Sequence, residues 1–139
     1  MATSCFWFCI PGEPVAKGRP RVYGKVAVTP EKTKNYERLV GYFARQVIGD
    51  MKPYPNGVKL TVKAFFGIPK SWTKAKRKMA LAGDLQHTQR PDFDNVLKAV
   101  TDGMNGIIFN DDSQVCRMGE DSGKFWSDSP RVEVTVEYL

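Results

Sequence analysis

Apolar positions recur along the chain with two periods. Val58, Leu60, Val62, Ala64 and Phe66 alternate with Lys59, Thr61, Lys63 and Phe65. Val132, Val134, Val136 and Tyr138 alternate with Arg131, Glu133, Thr135 and Glu137. A period of two predicts strands with one face in a core. Tyr36, Leu39, Val40, Phe43 and Val47 instead follow helical spacing, after Thr29-Pro30-Glu31. There Thr can cap, Pro suits the first turn, and Glu favours the positive end of the helix dipole. Gly49 can end that helix. A second apolar stripe, Phe93, Val96, Leu97, Val100 and Met104, predicts a helix over residues 92–105. Ser71 to Leu81 reads as a basic helix carrying Lys74, Lys76, Arg77 and Lys78.

The remaining segments are shorter. Cys5 to Ile10 is apolar at every position, which predicts a strand buried on both faces. Val22 to Val28, interrupted by Gly24-Lys25, predicts a hairpin, Gln114 to Met118 a weakly alternating strand, and Glu120 to Pro130 a loop. Two glycines and three prolines between Pro11 and Pro20 give a loop of fixed course. The mixture predicts an α+β fold, a mixed sheet of three to five strands packed with helices. At 139 residues and 42% apolar content, one domain spanning 1–139 is expected.

No apolar run approaches the roughly 20 residues that cross a bilayer. The stretch Cys5 to Ile10 has no basic segment before it and is not a signal peptide, so a cytoplasmic protein without a membrane partner is expected. Cys5, Cys9 and Cys116 form no CxxC pair and no disulfide framework. A zinc site of these cysteines with His87 lacks the usual ligand spacing. Small buried thiols are the plainer reading, with His87 an exposed residue of a polar loop.

Charge changes the picture more than composition does. Residues 1–90 hold 17 Lys and Arg against 5 Asp and Glu, a net +12, whereas residues 91–139 hold 4 against 10, a net −6. A basic region attracts a polyanion, most commonly nucleic acid. Lys17, Arg19 and Arg21, alternating in the stiff loop, suit phosphate contacts, as does the basic helix. Both segments are also readable as solvated surface. Trp126 could stack on a base, but packing against the domain is expected.

An acidic cluster on such a chain calls for its own reason. Arg90-Pro91-Asp92-Phe93-Asp94-Asn95 is followed by Lys98, Asp102 and Asp111-Asp112. Pro91 biases Arg90 away from helical backbone, so the helix starts at or just after Asp92. Asp92 and Asp94 can then face one side while Phe93 packs inward, and Lys98 follows Asp94 by one turn. Phosphodiester hydrolysis would explain such a group: a hard divalent cation held by carboxylates neutralises the phosphate charge, and an ammonium nearby adds positive charge where negative charge gathers. Each piece has a plain alternative: a helix cap, a surface ion pair, a turn at Asn110-Asp111-Asp112-Ser113. Their co-occurrence favours the metal reading, because bare carboxylates would repel phosphate.

The stretch from Arg90 to Gly106, with Asn110-Asp-Asp-Ser-Gln-Val115, resembles the signature of the RusA family of crossover junction endodeoxyribonucleases. Gly12 to Arg21 and Thr29-Pro30 resemble the opening of its phage and prophage members. The resemblance implies a homodimeric, magnesium-dependent Holliday junction resolvase of recombination and repair, with manganese as a substitute. It places catalytic, metal-binding aspartates at Asp92, Asp94 and Asp112 and the catalytic lysine at Lys98. Asp102 and Asp111 are expected to matter less. Nucleases for flaps or forks, and a non-catalytic DNA-binding accessory protein, are the alternatives. Phe6, Trp7, Phe8, Phe65, Phe66, Phe125 and Trp126 offer an apolar surplus for a dimer contact.

Overall fold

Two long strands form the centre of the sheet. β4 (Val58–Gly67) and β7 (Arg131–Tyr138) run antiparallel, and each buries alternate residues as its period of two requires. Val58, Leu60, Val62, Val132, Val134 and Val136 are fully buried. Each such side chain contributes about 1.5–3 kcal/mol by leaving water. In this computed structural model residues 4–19 and 21–139 are described.

β1 (Cys5–Pro11) pairs antiparallel with β7 at one margin of the sheet. It buries Phe8 and Ile10 but leaves Trp7 56% exposed and Cys5 exposed. The expected two-faced burial is therefore corrected: at the margin of a sheet covered on one side, only one face of a strand meets the core. At the opposite edge β4 pairs in parallel with two short strands in succession. β5 (Val115–Met118) lies along its first half and β6 (Gly123–Ser127) along its second. β6 occupies part of the expected 120–130 loop. Its five residues, GKFWS, show little alternation, and pairing with β4 makes them a strand. Gly119 lies between these two strands, and a Cβ there would sit 2.0 Å from Thr61 Oγ1, so only glycine fits. A separate hairpin, β2 (Arg21–Tyr23) with β3 (Val26–Val28), follows the N-terminal loop as expected.

Three helices complete an α+β domain with one core. α1 (Glu31–Ile48) buries Tyr36, Val40, Ala44 and Ile48; Pro30 occupies its cap position and no side chain caps it. α2 (Lys74–Leu81) is capped by Thr73, whose hydroxyl accepts the Lys76 N–H at 3.2 Å. It starts three residues later than the charge pattern predicts. α3 (Phe93–Met104) buries Val96, Val100 and Met104. It crosses α1 closely: a Cβ on Gly103 would lie 2.6 Å from Val40 Cβ. Among the described residues no helix is long and apolar enough to cross a membrane.

Candidate active site

α3 starts where Arg90-Pro91 ends. Asp92 occupies its cap position, yet the Asp92 carboxylate makes no capping hydrogen bond; only its backbone carbonyl accepts, from Val96 N–H at 3.3 Å. Asp94 Oδ1 accepts the neighbouring Asn95 N–H at 3.0 Å. Asp92 and Asp94 are exposed and Phe93 between them is half-buried, but the two carboxylates line different clefts. A plain helix cap therefore does not account for Asp92.

Asp112 reaches the same helix by a return of the chain. After α3, Ile108 and Phe109 enter the core with no exposed surface, and Tyr138 Oη donates to the Ile108 carbonyl at 2.9 Å. A single 3-10 turn, Asp112–Gln114, then leads into β5. Gln114 organises this turn. Its Oε1 accepts the N–H groups of Asn110 and Asp111, and its Nε2 donates to the Tyr54 and Asn56 carbonyls at 2.6 and 2.8 Å. Asp111 caps the turn through Ser113 N–H at 3.0 Å. Those hydrogen bonds, first the one to Ser113, hold the Asp111 carboxyl below its ordinary range. Of the adjacent pair, Asp111 thus serves the backbone and Asp112 faces α3.

There Asp112 Oδ2 accepts from Lys98 Nζ at 2.7 Å, with Thr101 Oγ1 at 3.5 Å. Lys98 also lies 3.0 Å from Asp102 Oδ1. The hydrogen bonds to Asp112 and then Asp102 raise the Lys98 pKa, so its ammonium is a firm cation at neutral pH. Asp94, Lys98 and Asp112 line one open cleft of about 290 Å³, whose far wall is apolar, from Leu97, Val115 and Met118. Asp92 borders a second cleft of about 540 Å³, with Arg19, Arg90 and Asn95. Two arginines beside one carboxylate suit a phosphate bridged by cations. Arg90 stands in the signature stretch, but its part in this cleft emerges only from the fold.

The other basic residues separate into groups. Lys17 is turned inward, 2.7 Å from Glu37 and 2.9 Å from Asp102. The Arg21 side chain lies outside the described residues. On α2, Arg77 pairs with Asp128 and Lys76 stands 3.9 Å from the centroid of the Trp72 ring. Lys74 and Lys78 are exposed.

His87 corrects an expectation. It is 7% exposed, stacked on Phe66 and tilted against Trp126, at ring-centroid distances of 4.2 and 4.3 Å. Burial, with the nearby Lys124 charge, lowers its pKa. Its polar neighbours in sequence conceal this, because the aromatic rings that cover it come from β4 and β6. Trp126 packs into the domain, as expected. Lys124, which sequence reasoning passes over, donates to the carbonyls of Gln89 and Pro91 at 2.6 and 2.9 Å. It ties β6 to the loop that delivers Asp92, and no local pattern announces such a contact.

Among the described residues no three Asp, Glu, His or Cys side chains are gathered tightly enough to close on a metal ion as they stand. The donor set nevertheless fits a hard divalent cation, since three carboxylates with water suffice for magnesium. Asp92 and Asp94 keep oxygens free of other protein partners among the described residues, while Asp112 Oδ2 is taken by Lys98.

A small α+β domain that sets carboxylates, a lysine and two arginines around two open clefts has the makeup of a phosphodiesterase acting on nucleic acid. The chain belongs to the RusA endodeoxyribonuclease family: the family described as Endodeoxyribonuclease RusA matches residues 11–137. It is also 39% identical over 138 residues to the uncharacterized protein YqaN of Bacillus subtilis (strain 168), covering 95% of each chain.

Proposed function

We propose that the protein is a magnesium-dependent endonuclease that resolves four-way DNA junctions by paired nicks, in recombination and repair inside the cell. The observation that carries this reading is the placement of Lys98 against Asp112 in the cleft that Asp94 also lines. Asp92, Asp94 and Asp112 would hold magnesium or manganese. When bound, the cation offsets the phosphate charge and activates water.

The chain's own residues do the rest. Arg19 and Arg90 orient the phosphate strand at the Asp92 side of the site. Lys98 keeps a proton at neutral pH, so it acts as a fixed positive charge toward the phosphate oxygens and not as a base. Lys74 and Lys78 extend the backbone contacts along DNA, with Lys76 and Arg77 beside them. A homodimer supplies the second nick.

The test is cleavage of a synthetic four-way junction beside a linear duplex of the same sequence. Magnesium-dependent, junction-selective cutting is expected, and Asp94→Asn should abolish it while junction binding persists. Preference for flaps or forks would redirect the substrate assignment. Full cleavage by Asp94→Asn would overturn the catalytic one.

A further inference from the structure

Lys17 and Lys98 meet on one carboxylate. Lys17 Nζ is 2.9 Å from Asp102 Oδ2, and Lys98 Nζ is 3.0 Å from Asp102 Oδ1. Lys17 also donates to Glu37 at 2.7 Å, and Lys98 to Asp112 at 2.7 Å. The outcome is one continuous chain, Glu37–Lys17–Asp102–Lys98–Asp112, running from α1 through the N-terminal loop to a carboxylate of the catalytic cleft.

The backbone is built to hold this chain. Lys17 N–H donates to the Asn95 carbonyl in the first turn of α3 at 2.8 Å, and Gly18 N–H donates to Thr33 Oγ1 on α1 at 3.0 Å. The loop is thereby fastened to both helices. The close crossing at Gly103 brings Glu37 of α1 beside Asp102 of α3. Asp102, with 16% of its side chain exposed, is the least exposed acid of the five-residue chain.

We propose that Lys17 and Asp102 are positioning residues that set where the Lys98 ammonium stands in the cleft. The proposal rests on the catalytic reading above and adds to it two residues outside the carboxylate set. The Lys98 side chain is 51% exposed, so packing does not fix it. A lysine head on a flexible four-carbon stem takes its place from its partners. The ammonium is shared between Asp112, at 2.7 Å, and Asp102, at 3.0 Å. Asp102 draws the ammonium part of the way back along α3. Lys17 in turn balances Asp102 and Glu37, so that Asp102 does not pull Lys98 out of the cleft altogether. Lys17 is thus the member of the basic opening whose charge works inside the protein, and Asp102 carries more weight than its place in the sequence suggests.

The experiment compares Lys17→Met, Asp102→Asn and Lys17→Arg with wild type, and uses Lys32→Met on the exposed start of α1 as a control. Three quantities are measured: single-turnover cleavage of bound junction, junction affinity across a salt series, and the side-chain ammonium signal of Lys98 in 1H–15N spectra of metal-free protein. Lys17→Met and Asp102→Asn should slow cleavage by roughly ten- to a hundredfold, the scale of a small misplacement of a reacting group. Affinity and its salt slope should hold for Lys17→Met, and Lys17→Arg should recover most of the rate. The Lys98 signal should move in Lys17→Met and Asp102→Asn and stay in place in Lys32→Met. In a Lys98→Met background, Lys17→Met should cost nothing further, since coupled residues are not additive. A salt slope reduced by about 0.9 with the bound rate intact would make Lys17 a phosphate contact and end the proposal. Full additivity with Lys98→Met would end it too. Wild-type protein that cuts no branched DNA would sink the catalytic reading. An unmoved Lys98 signal in both variants, which needs neither metal nor DNA, would sink the network by itself.

Discussion

Gln114 and Asp111 hold each other's ends of the turn that presents Asp112. Gln114 Oε1 accepts the Asp111 N–H at 3.0 Å, while the Asp111 carboxylate caps the same turn at Ser113. The Gln114 amide is the more demanding partner, because it also donates to the Tyr54 and Asn56 carbonyls. A glutamate there keeps the acceptor but sets a charge against two carbonyls. Gln114→Glu should therefore cost about 0.5–1.5 kcal/mol of stability, the net scale of a hydrogen bond at a half-buried site. It should also slow cleavage more than it weakens junction binding. Urea unfolding and single-turnover rates check both parts; a variant of wild-type stability and rate would show that the turn holds without the amide.

The sequence displays the strands β4 and β7, the helices α1 and α3, and the exposed pair Asp92 and Asp94, because each is written in a local period or a local charge pattern. Where it misleads, the deciding partner is distant in the chain. Cys5 to Ile10 looks buried on both faces until β7 claims it as the outer strand. His87 looks like a loop residue until Phe66 and Trp126 cover it. Lys17 looks like its neighbour Arg19, but it faces Glu37 and Asp102 while Arg19 stands exposed. A charge in a sequence has no direction until the backbone fixes one.

That difference in direction leads to a prediction for the salt dependence of DNA binding. Arg19 and Arg90 line the cleft beside Asp92 and are exposed. Removing one cation that touches a phosphate should lower the slope of log affinity against log salt by about 0.9. Arg19→Ala with Arg90→Ala is thus expected to flatten the slope by about twice that amount. Lys74→Ala with Lys78→Ala should flatten it as well, whereas Arg77, paired with Asp128, should contribute less. Titrations of a four-way junction without divalent metal at four or five salt concentrations give the slopes; an unchanged slope in the Arg19, Arg90 double variant would remove that cleft from the DNA surface.

His87 is expected to make folding stability fall on the acid side. Its folded-state pKa lies below the ordinary histidine value because of burial and then the Lys124 charge. Well above the ordinary histidine value of about 6.5 the imidazole is neutral in both folded and unfolded chains and contributes no pH dependence. As pH falls below that value the unfolded chain takes up the proton first, so stability drops until the folded pKa is passed. His87→Phe keeps a ring between Phe66 and Trp126 and removes the titration. The loss of urea midpoint between pH 7.5 and pH 5.5 should be smaller in that variant than in wild type. An identical loss in both proteins would place the acid sensitivity elsewhere.

Paired nicking, as proposed, calls for two sites, and a two-fold dimer of chains with one carboxylate cluster each would supply them. A four-way junction has approximate two-fold symmetry, and two equivalent sites at a fixed separation can nick strands of like polarity in one encounter. The apolar surplus of the sequence is partly absorbed by the core, where Phe8, Phe66 and Trp126 are buried. Trp7, at 56% exposed, and Phe125, at 36%, are left at the surface. So are Val22, Tyr23 and Val26 of the hairpin, each at 60% exposure or more. Apolar groups exposed in this way are available to a second copy of the chain. Mixing wild-type chains with Asp94→Asn chains tests the assembly on a supercoiled plasmid carrying a cruciform. Heterodimers have one working site, so open circles should accumulate at the expense of linear product, in proportion to the mixed fraction. Sedimentation at the assay concentration should give about twice the chain's mass of 15.6 kDa. A monomeric mass together with undiminished paired nicking would rule the dimer out.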